Sequence, residues 1–550
     1  MKKLAILLIL CVGTASILRS QTTPIFTKIY GILQTKCVQC HSNTAKSGGL
    51  DLEGSGIDKP AEVFNNLVGV APTNATAAAK GYKRVYAGRP DRSFLFHKIN
   101  GTFDTYYPSL GTGEGSAMPK SGTALTSVEK EFIRQWMLFG ANKTALVPEE
   151  RIRAFYDTVG RALSAFATPP AAPAAGQGFQ VRMGPFFLAP QGQAGNEAEY
   201  FQKYEVNLPQ AVEVNRINHL IANSSHHFIT YSYNTTAAAD AVEAGLRLNA
   251  YHNNVNLVAA VQEATDLKLP ERTAFKWAKD RTIDLNSHYI NYSSMHVYKA
   301  EAFLNFYTQP NGTAKQEMKA DLIANGAIYI PNNNQTVSFE KTTKIGTAGK
   351  GFIWAMTGHT HKYGTGYKIW QSNTAGTKGT LLYDAGCPVG VPGCQTPIFD
   401  YQHIPMRYYA PFVPFNSNPA VIHQATWKNN GATPVIFGAT SSDEMMVMIA
   451  MYVTDTTGLS GTTALTDAKE IEDVQVAPNP MNDRTTFFLP PSVSRVKFTL
   501  FDVLGRIVQQ KEGIAMRQFD VFRKDLKSGL YLYRLEDAQG RVKNGKVFME

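Results

Sequence analysis

Apolar and polar residues change their spacing several times along this chain, and each change predicts a different kind of element. After Lys2-Lys3 the residues from Leu4 to Val12 are continuously apolar and give way to small and polar residues up to Gln21. That is the layout of a secretory signal peptide, residues 1–20, rather than of a membrane-spanning helix. Ser127 to Trp136 carries apolar residues at helical spacing behind a capping pattern, which predicts an amphipathic helix. A second helical stretch, from about Pro148 to Phe166, runs into the Pro/Ala-rich segment Ala167 to Gly176, an extended spacer that predicts a first domain boundary. From Phe179 to about Thr454 the periodicity shortens. Tyr, Phe, Val, Ile and Thr dominate between Asn/Gly turns, as in Phe228 to Tyr233 and Gly351 to Met356, so a mostly antiparallel β-sandwich is expected, with one helix near 236–246. A Thr/Gly/Ser-rich linker follows, and the last eighty or so residues alternate apolar strands with Gly turns, as a small β-sandwich does.

Composition narrows this picture. At 550 residues the chain is several domains long, given roughly 100 to 200 residues per domain, and 44% apolar residues suffice for packed cores. The net charge of +10 comes from 54 basic and 44 acidic residues without a long basic run. It reads as solvated surface and predicts no nucleic-acid partner. Of five cysteines, Cys11 leaves with the signal peptide, while Cys387 and Cys394 face each other across a Gly/Pro-rich loop and predict a local disulfide, in keeping with export.

The other two cysteines carry chemistry. Cys37-Val38-Gln39-Cys40-His41 has the C-x-x-C-H spacing that attaches c-type haem through two thioethers and an axial imidazole. A C-x-x-C pair also serves redox dithiols and zinc sites, but a zinc site needs another Cys or His pair nearby, and the next candidate ligand is the lone His97. Met118-Pro119 offers a thioether as second axial ligand, with His97 as its rival. With the closing helix, residues 22–145 resemble a class I cytochrome c domain, which implies a small all-α fold and one covalent haem c.

Gly358-His359-Thr360-His361 places two imidazoles on one face of a strand, able to reach one metal. His226-His227 is different. Neighbouring residues on a regular strand point to opposite faces, so joint ligation needs a strand end or a bulge. His226-His227, Leu285 to Tyr289, His359-Thr360-His361 with Gly364, and Gly438 to Met445 together resemble, in order and spacing, the copper type II monooxygenases, which include peptidylglycine α-hydroxylating and dopamine β-monooxygenases. The resemblance covers residues 179–454. It implies two jelly-roll-like β-sandwich subdomains, 179–310 and 311–454, facing across a solvent-filled cleft. His226, His227 and His288 would hold an electron-storing copper, and His359, His361 and Met445 an oxygen-binding copper. The implied activity is hydroxylation of a C–H bond with O2, with ascorbate as reductant. The family's peptide-acting member has Arg, Asn and Tyr where this chain has Thr357, Val447 and Ile449, so an uncharged or apolar small-molecule substrate is expected. Met446, Met448 and Met451 read as core, and His219, His252, His296, His403 and His423 as structural.

Val474 to Pro480, Phe501 to Val508, Leu526 to Leu535 and Gly545 to Phe548 resemble the C-terminal sorting domain of the type IX secretion system in Bacteroidetes-type bacteria, which implies that machinery as a partner and a location outside the outer membrane. The expected fold class is therefore a multidomain chain: the haem domain at 22–145, a helix and linker at 146–178, two copper sandwiches, a linker at 455–470 and a small Ig-like sandwich at 471–550. The expected function is a secreted haem–copper monooxygenase fed with electrons through the fused cytochrome or a small reductant. The other reading is a surface electron-transfer or copper-binding protein on the same scaffold without hydroxylase activity.

Overall fold

A computed structural model describes residues 24–550 apart from 145–146, 223, 249–251, 253, 347–349, 387–398, 402–403, 417–419, 439, 460–470, 472–473, 490–492, 494–495, 503–505, 515–517 and 538–541. The expected signal peptide, the Cys387–Cys394 disulfide, His403 and most of the 455–470 linker lie outside the described residues. The chain divides into two compact units, Met1–Leu459 and Ser460–Glu550.

The nine-stranded sheet that carries the site is built from β1 (Glu197–Glu205), β2 (Ser225–Tyr233), β3 (Gly245–Arg247), β4 (Val255–Val261), β5 (Thr282–Ile290), β6 (Lys319–Ala324), β7 (Lys350–His359), β8 (Arg407–Asn416) and β9 (Val447–Val453). Its order is β8-β7-β9-β6-β4-β2-β5-β1-β3. β5 and β9 are buried almost throughout; β9 reads as a continuous apolar run, as central strands do, whereas β5 buries Asp284, Asn286, Ser287 and His288 among its apolar residues. Further sheets pack around this one. A seven-stranded sheet includes Gly178–Leu188, Val212–Leu220 and Val297–Pro310, and a four-stranded sheet includes Gly364–Ser372 and Val421–Lys428.

This architecture corrects the expected fold class in two ways. Strands hold 44% of the described residues and helices 14%, so the chain is mostly β, and among the described residues no N-terminal all-α cytochrome domain stands apart. Five of the six α-helices between Ile25 and Asp157 share one core around Ile29, Leu33, Phe132 and Trp136, but that core takes in Phe187 and Val297 from the sheet beside it. Buried charge makes the union tighter. Arg182 on the Gly178–Leu188 strand donates at 2.8 Å to Asp104 and at 2.8 Å to Glu301, while Arg134, on the Ser127–Leu138 helix, pairs with Asp104 and Glu131. Burial alone would raise the Asp104 carboxyl, but Arg134 and Arg182 outweigh it and hold it well below the usual range. Charges this buried cannot separate into water without losing their partners, so helices and sheet form one unit. Gln135 donating to the Pro185 carbonyl at 2.7 Å and Arg89 donating to the Glu205 carbonyl at 2.6 Å add to the seam.

The second correction concerns the two sandwiches. β6 pairs with β9 along its length and reaches β4 through Ala320 opposite Leu257, so strands from both sides of residue 310 share one sheet. Local readings fared unevenly. The capping box forms at Thr126 and Glu129. The helix after Pro148 covers only Glu149–Asp157; the chain turns at Gly160 (φ +75°), and Ala162–Ser164 is a strand parallel to Val297–Pro310. The helix near 236–246 is the short Thr236–Asp240, capped by Thr235.

The second unit holds a three-stranded sheet (Gln475–Ala477, Arg484–Phe488, Gln518–Phe522) and a four-stranded one (Val496–Phe501, Ile507–Ile514, Gly529–Asp537, Val542–Met549) around Phe487, Phe498, Leu500, Leu535 and Val547. Among the described residues no helix is long and apolar enough to cross a membrane.

Candidate metal centre

Five histidines converge at one end of the nine-stranded sheet. β2 opens with Ser225, His226 and His227, and the register against β5 slips there: His227 faces His288, Ser225 faces Tyr289, and His226 is the extra residue of a bulge. The slip cancels the alternation of a regular strand, so both imidazoles turn to the same side. His359 ends β7, and His361 lies in the turn beyond it. That turn requires glycine at 364, because a Cβ there would lie 2.1 Å from Thr360 Oγ1. The His226 ring centroid lies 5.1 Å from His361, 5.2 Å from His288 and 5.4 Å from His359; His227 lies 5.3 Å from His288.

Each ring except His226 has a hydrogen bond that fixes its orientation. His227 Nε2 donates to Asn286 Oδ1 at 3.0 Å and lies 3.2 Å from Glu199, His288 Nε2 donates to Glu197 at 2.7 Å, and His361 Nδ1 donates to the Asp443 carbonyl at 3.0 Å. The Gln262 side-chain amide lies 2.7 Å from His359 Nδ1. The opposite nitrogens of His288, His359 and His361, and Nε2 of His226, are buried without a partner. His227, His288 and His361 each donate from one nitrogen and keep a lone pair on the other, the arrangement a metal site requires, while the Gln262 amide donates to His359 Nδ1. The ligand atoms of His226, His359 and His361 lie within 4.8 Å of one another, as do those of His226, His227 and His288. Burial, reinforced by the neighbouring imidazoles, pushes His226 down to about 2, and burial takes His361 to about 4, so these rings are neutral and free to ligate near neutral pH.

The residues behind the ligands were not read from the sequence. Glu197 and Glu199 alternate on β1, and Glu199 lies opposite His288 across the β1–β5 ladder. Burial would raise the Glu197 carboxyl, but His288 and Ser441 bring it down to about 2. Glu444 is fully buried and accepts from the backbone of His361 (2.8 Å) and Tyr363 (2.7 Å) and from Trp427 Nε1 (2.8 Å), fixing the His-Thr-His turn to the loop before Met445. The alternating Glu197-x-Glu199 was the one sequence signal available. Met446 and Met448 are buried in the core, and so are His219 and His423.

An apolar cavity of about 360 Å³ opens beside the cluster, within the size range of small-molecule sites. His227, His359 and the half-buried Met445 line it, and so do Thr357, Val447 and Ile449.

A second cavity, of about 370 Å³, lies among the helices, with Cys37, Cys40, His41 and Met118 on its wall beside Leu67 and Phe94. His41 Nδ1 is buried and unpartnered. Burial pushes the Cys37 thiol up to about 11, opposite to the lowering that a redox dithiol needs. His97 is outside this wall: its Nε2 is 2.8 Å from the Asp91 carbonyl, and its ring stacks on Tyr82.

Residues 475–550 match the family model described as a secretion system C-terminal sorting domain. The chain carries a type IX sorting domain. It is therefore secreted, or attached to the cell surface, through the type IX system of Bacteroidetes, with that machinery as its partner. The cytochrome-like and copper-monooxygenase-like segments have no family match. No curated protein matches the chain. Among solved structures it is similar to CopC from Methylosinus trichosporium OB3b (16% identity, 14% of this chain and 87% of that one, TM-score 0.11). It is also similar to a β-D-glucuronidase from Dictyoglomus thermophilum (10% identity, 43% and 44%, TM-score 0.20) and to latent PorU from Porphyromonas gingivalis (11% identity, 65% and 33%, TM-score 0.15). The chain spans under half of the latter two. Similarities this slight transfer neither fold nor function.

Proposed function

We propose that the protein is a secreted haem–copper oxidoreductase that hydroxylates a C–H bond of an uncharged, apolar small molecule with O2, its electrons supplied through haem or by a small reductant such as ascorbate. The observation that carries this reading is the cluster of imidazoles with buried, unpartnered nitrogens on His226, His288, His359 and His361, beside an apolar cavity that His359 and Met445 line. Imidazole suits copper in both of its oxidation states, and a thioether favours Cu(I). Copper bound there would supply O2 activation and one-electron chemistry, and haem held by Cys37, Cys40 and His41 a one-electron store, with Met118 the better placed sixth ligand.

The chain's own residues do the rest. Glu197, Glu199, Asn286 and the Asp443 carbonyl hold the imidazoles in the tautomers that leave a lone pair for the metal. Phe201, Ile229, Val447 and Ile449 exclude water from the cavity, and Thr357 leaves it without a cation for an anionic substrate.

The test is product formation from a panel of apolar candidates under ¹⁸O2. Wild type should insert labelled oxygen. Met445→Ala should lower turnover at least a hundredfold while the haem spectrum is unchanged. If wild type retains copper and cycles electrons but labels no product, the non-hydroxylating electron-transfer reading replaces this one.

A further inference from the structure

The family resemblance implies two copper sites on opposite sides of a solvent-filled cleft. The histidines are arranged otherwise. His226 belongs to both triads whose ligand atoms lie within 4.8 Å of one another. Its ring is as close to His361 (5.1 Å) and His359 (5.4 Å) as to His288 (5.2 Å), and His227 is 5.9 Å from His359.

Hydrogen bonds that cross between the triads hold them together. The Glu197 carboxylate accepts from His288 Nε2 at 2.7 Å and also from Ser441 N at 2.8 Å and Ser441 Oγ at 2.7 Å, so the triad of His226, His227 and His288 is strapped to the loop that leads to Met445. From that same loop Glu444 accepts from His361 N at 2.8 Å. Gln262, just past β4, touches His359 and, through Oε1, accepts from Ile404 N at 3.1 Å. The two groups of ligands thus share one shelf of one sheet.

We infer that His226 is common to both metal positions, and that the five histidines with Met445 form a single compact dinuclear copper centre instead of two isolated sites. The inference rests on the copper reading above. To bind both ions His226 must release its N–H proton to solvent and bridge as imidazolate through Nδ1 and Nε2; with imidazole–metal bonds close to 2 Å the two ions then lie within about 6 Å of each other. At that separation two Cu(II) ions interact magnetically. Two ions across a cleft do not.

The experiment is electron paramagnetic resonance of the full-length copper-loaded protein, taken as the difference from the copper-free protein, with metal content measured on the same sample. The compact centre predicts a half-field resonance and a dipole-broadened main signal, both lost in His226→Ala and in His361→Ala. His219→Gln, a buried histidine away from the cluster, should leave the spectrum as it is. Two retained coppers giving the sum of two narrow signals with no half-field resonance would overturn the inference. So would a His226→Ala protein that sheds one copper and keeps the other's signal unchanged. Should either variant fail to fold, the wild-type spectrum decides alone. A protein that retains no copper gives no signal at all and overturns the copper reading itself, which is a different result from uncoupled signals.

Discussion

His226 and His227 differ by one position in sequence, and the bulge at His226 is what makes them equivalent in space. The sequence stated that requirement, because two adjacent strand residues cannot share a face without a bulge or a strand end. It could not announce Glu197, Glu199 or Gln262, whose roles depend on which strands become neighbours. The lone histidines, read as structural, include His423, which is buried with its Nδ1 2.6 Å from the Tyr367 hydroxyl. Burial, with Lys341 nearby, pushes this imidazole down to about 3. An unfolded histidine titrates at about 6.5, so between there and about 3 the unfolded chain binds the extra proton, and stability is lost as pH falls through that window. Denaturant unfolding at pH 7.5 and pH 5 should therefore show a loss that is smaller in His423→Gln by about 2 kcal/mol.

Helices and strands were legible where local pattern decides and illegible where tertiary contact does. The capping box at Thr126 and Glu129 was readable from residue identity. The short strand Ala162–Ser164 was not, since it exists only because Val297–Pro310 offers an edge to pair with. The same holds for the expected all-α domain. Its helices carry ordinary amphipathic patterns, but Glu131, Arg134 and Asp104 are polar groups buried at a contact with Arg182 and Glu301, which lie 78 and more residues beyond Asp104. Arg182→Ala would take from the buried Glu301 its closest cation and leave Asp104 with Arg134 alone, and unfolding of the first unit should become easier by about 3–5 kcal/mol. Urea titration followed by tryptophan fluorescence measures it, and a change under about 1 kcal/mol, the worth of an exposed pair, would mean that the network is solvated.

At the scale of the whole molecule the most legible part was the tail, whose short alternating strands and Gly turns match a sorting domain over residues 475–550. Its role is an address, so a chain ending at Leu459 should accumulate in the periplasm with its metal content unchanged; cell fractionation with metal analysis checks this, and export of the truncated chain would contradict it. The expected division into two copper sandwiches was drawn from resemblance, and the pairing of β6 with both β4 and β9 instead joins strands from both halves in a shared nine-stranded sheet that carries the histidine cluster. Both proposed cofactors belong to the first unit, the thiols and His41 on one cavity and the five imidazoles beside another. The most direct measurement is the copper-to-iron ratio of the purified mature protein after copper loading and dialysis. The account predicts two coppers for each iron; iron without retained copper would contradict it and leave a secreted haem protein with an empty histidine cluster.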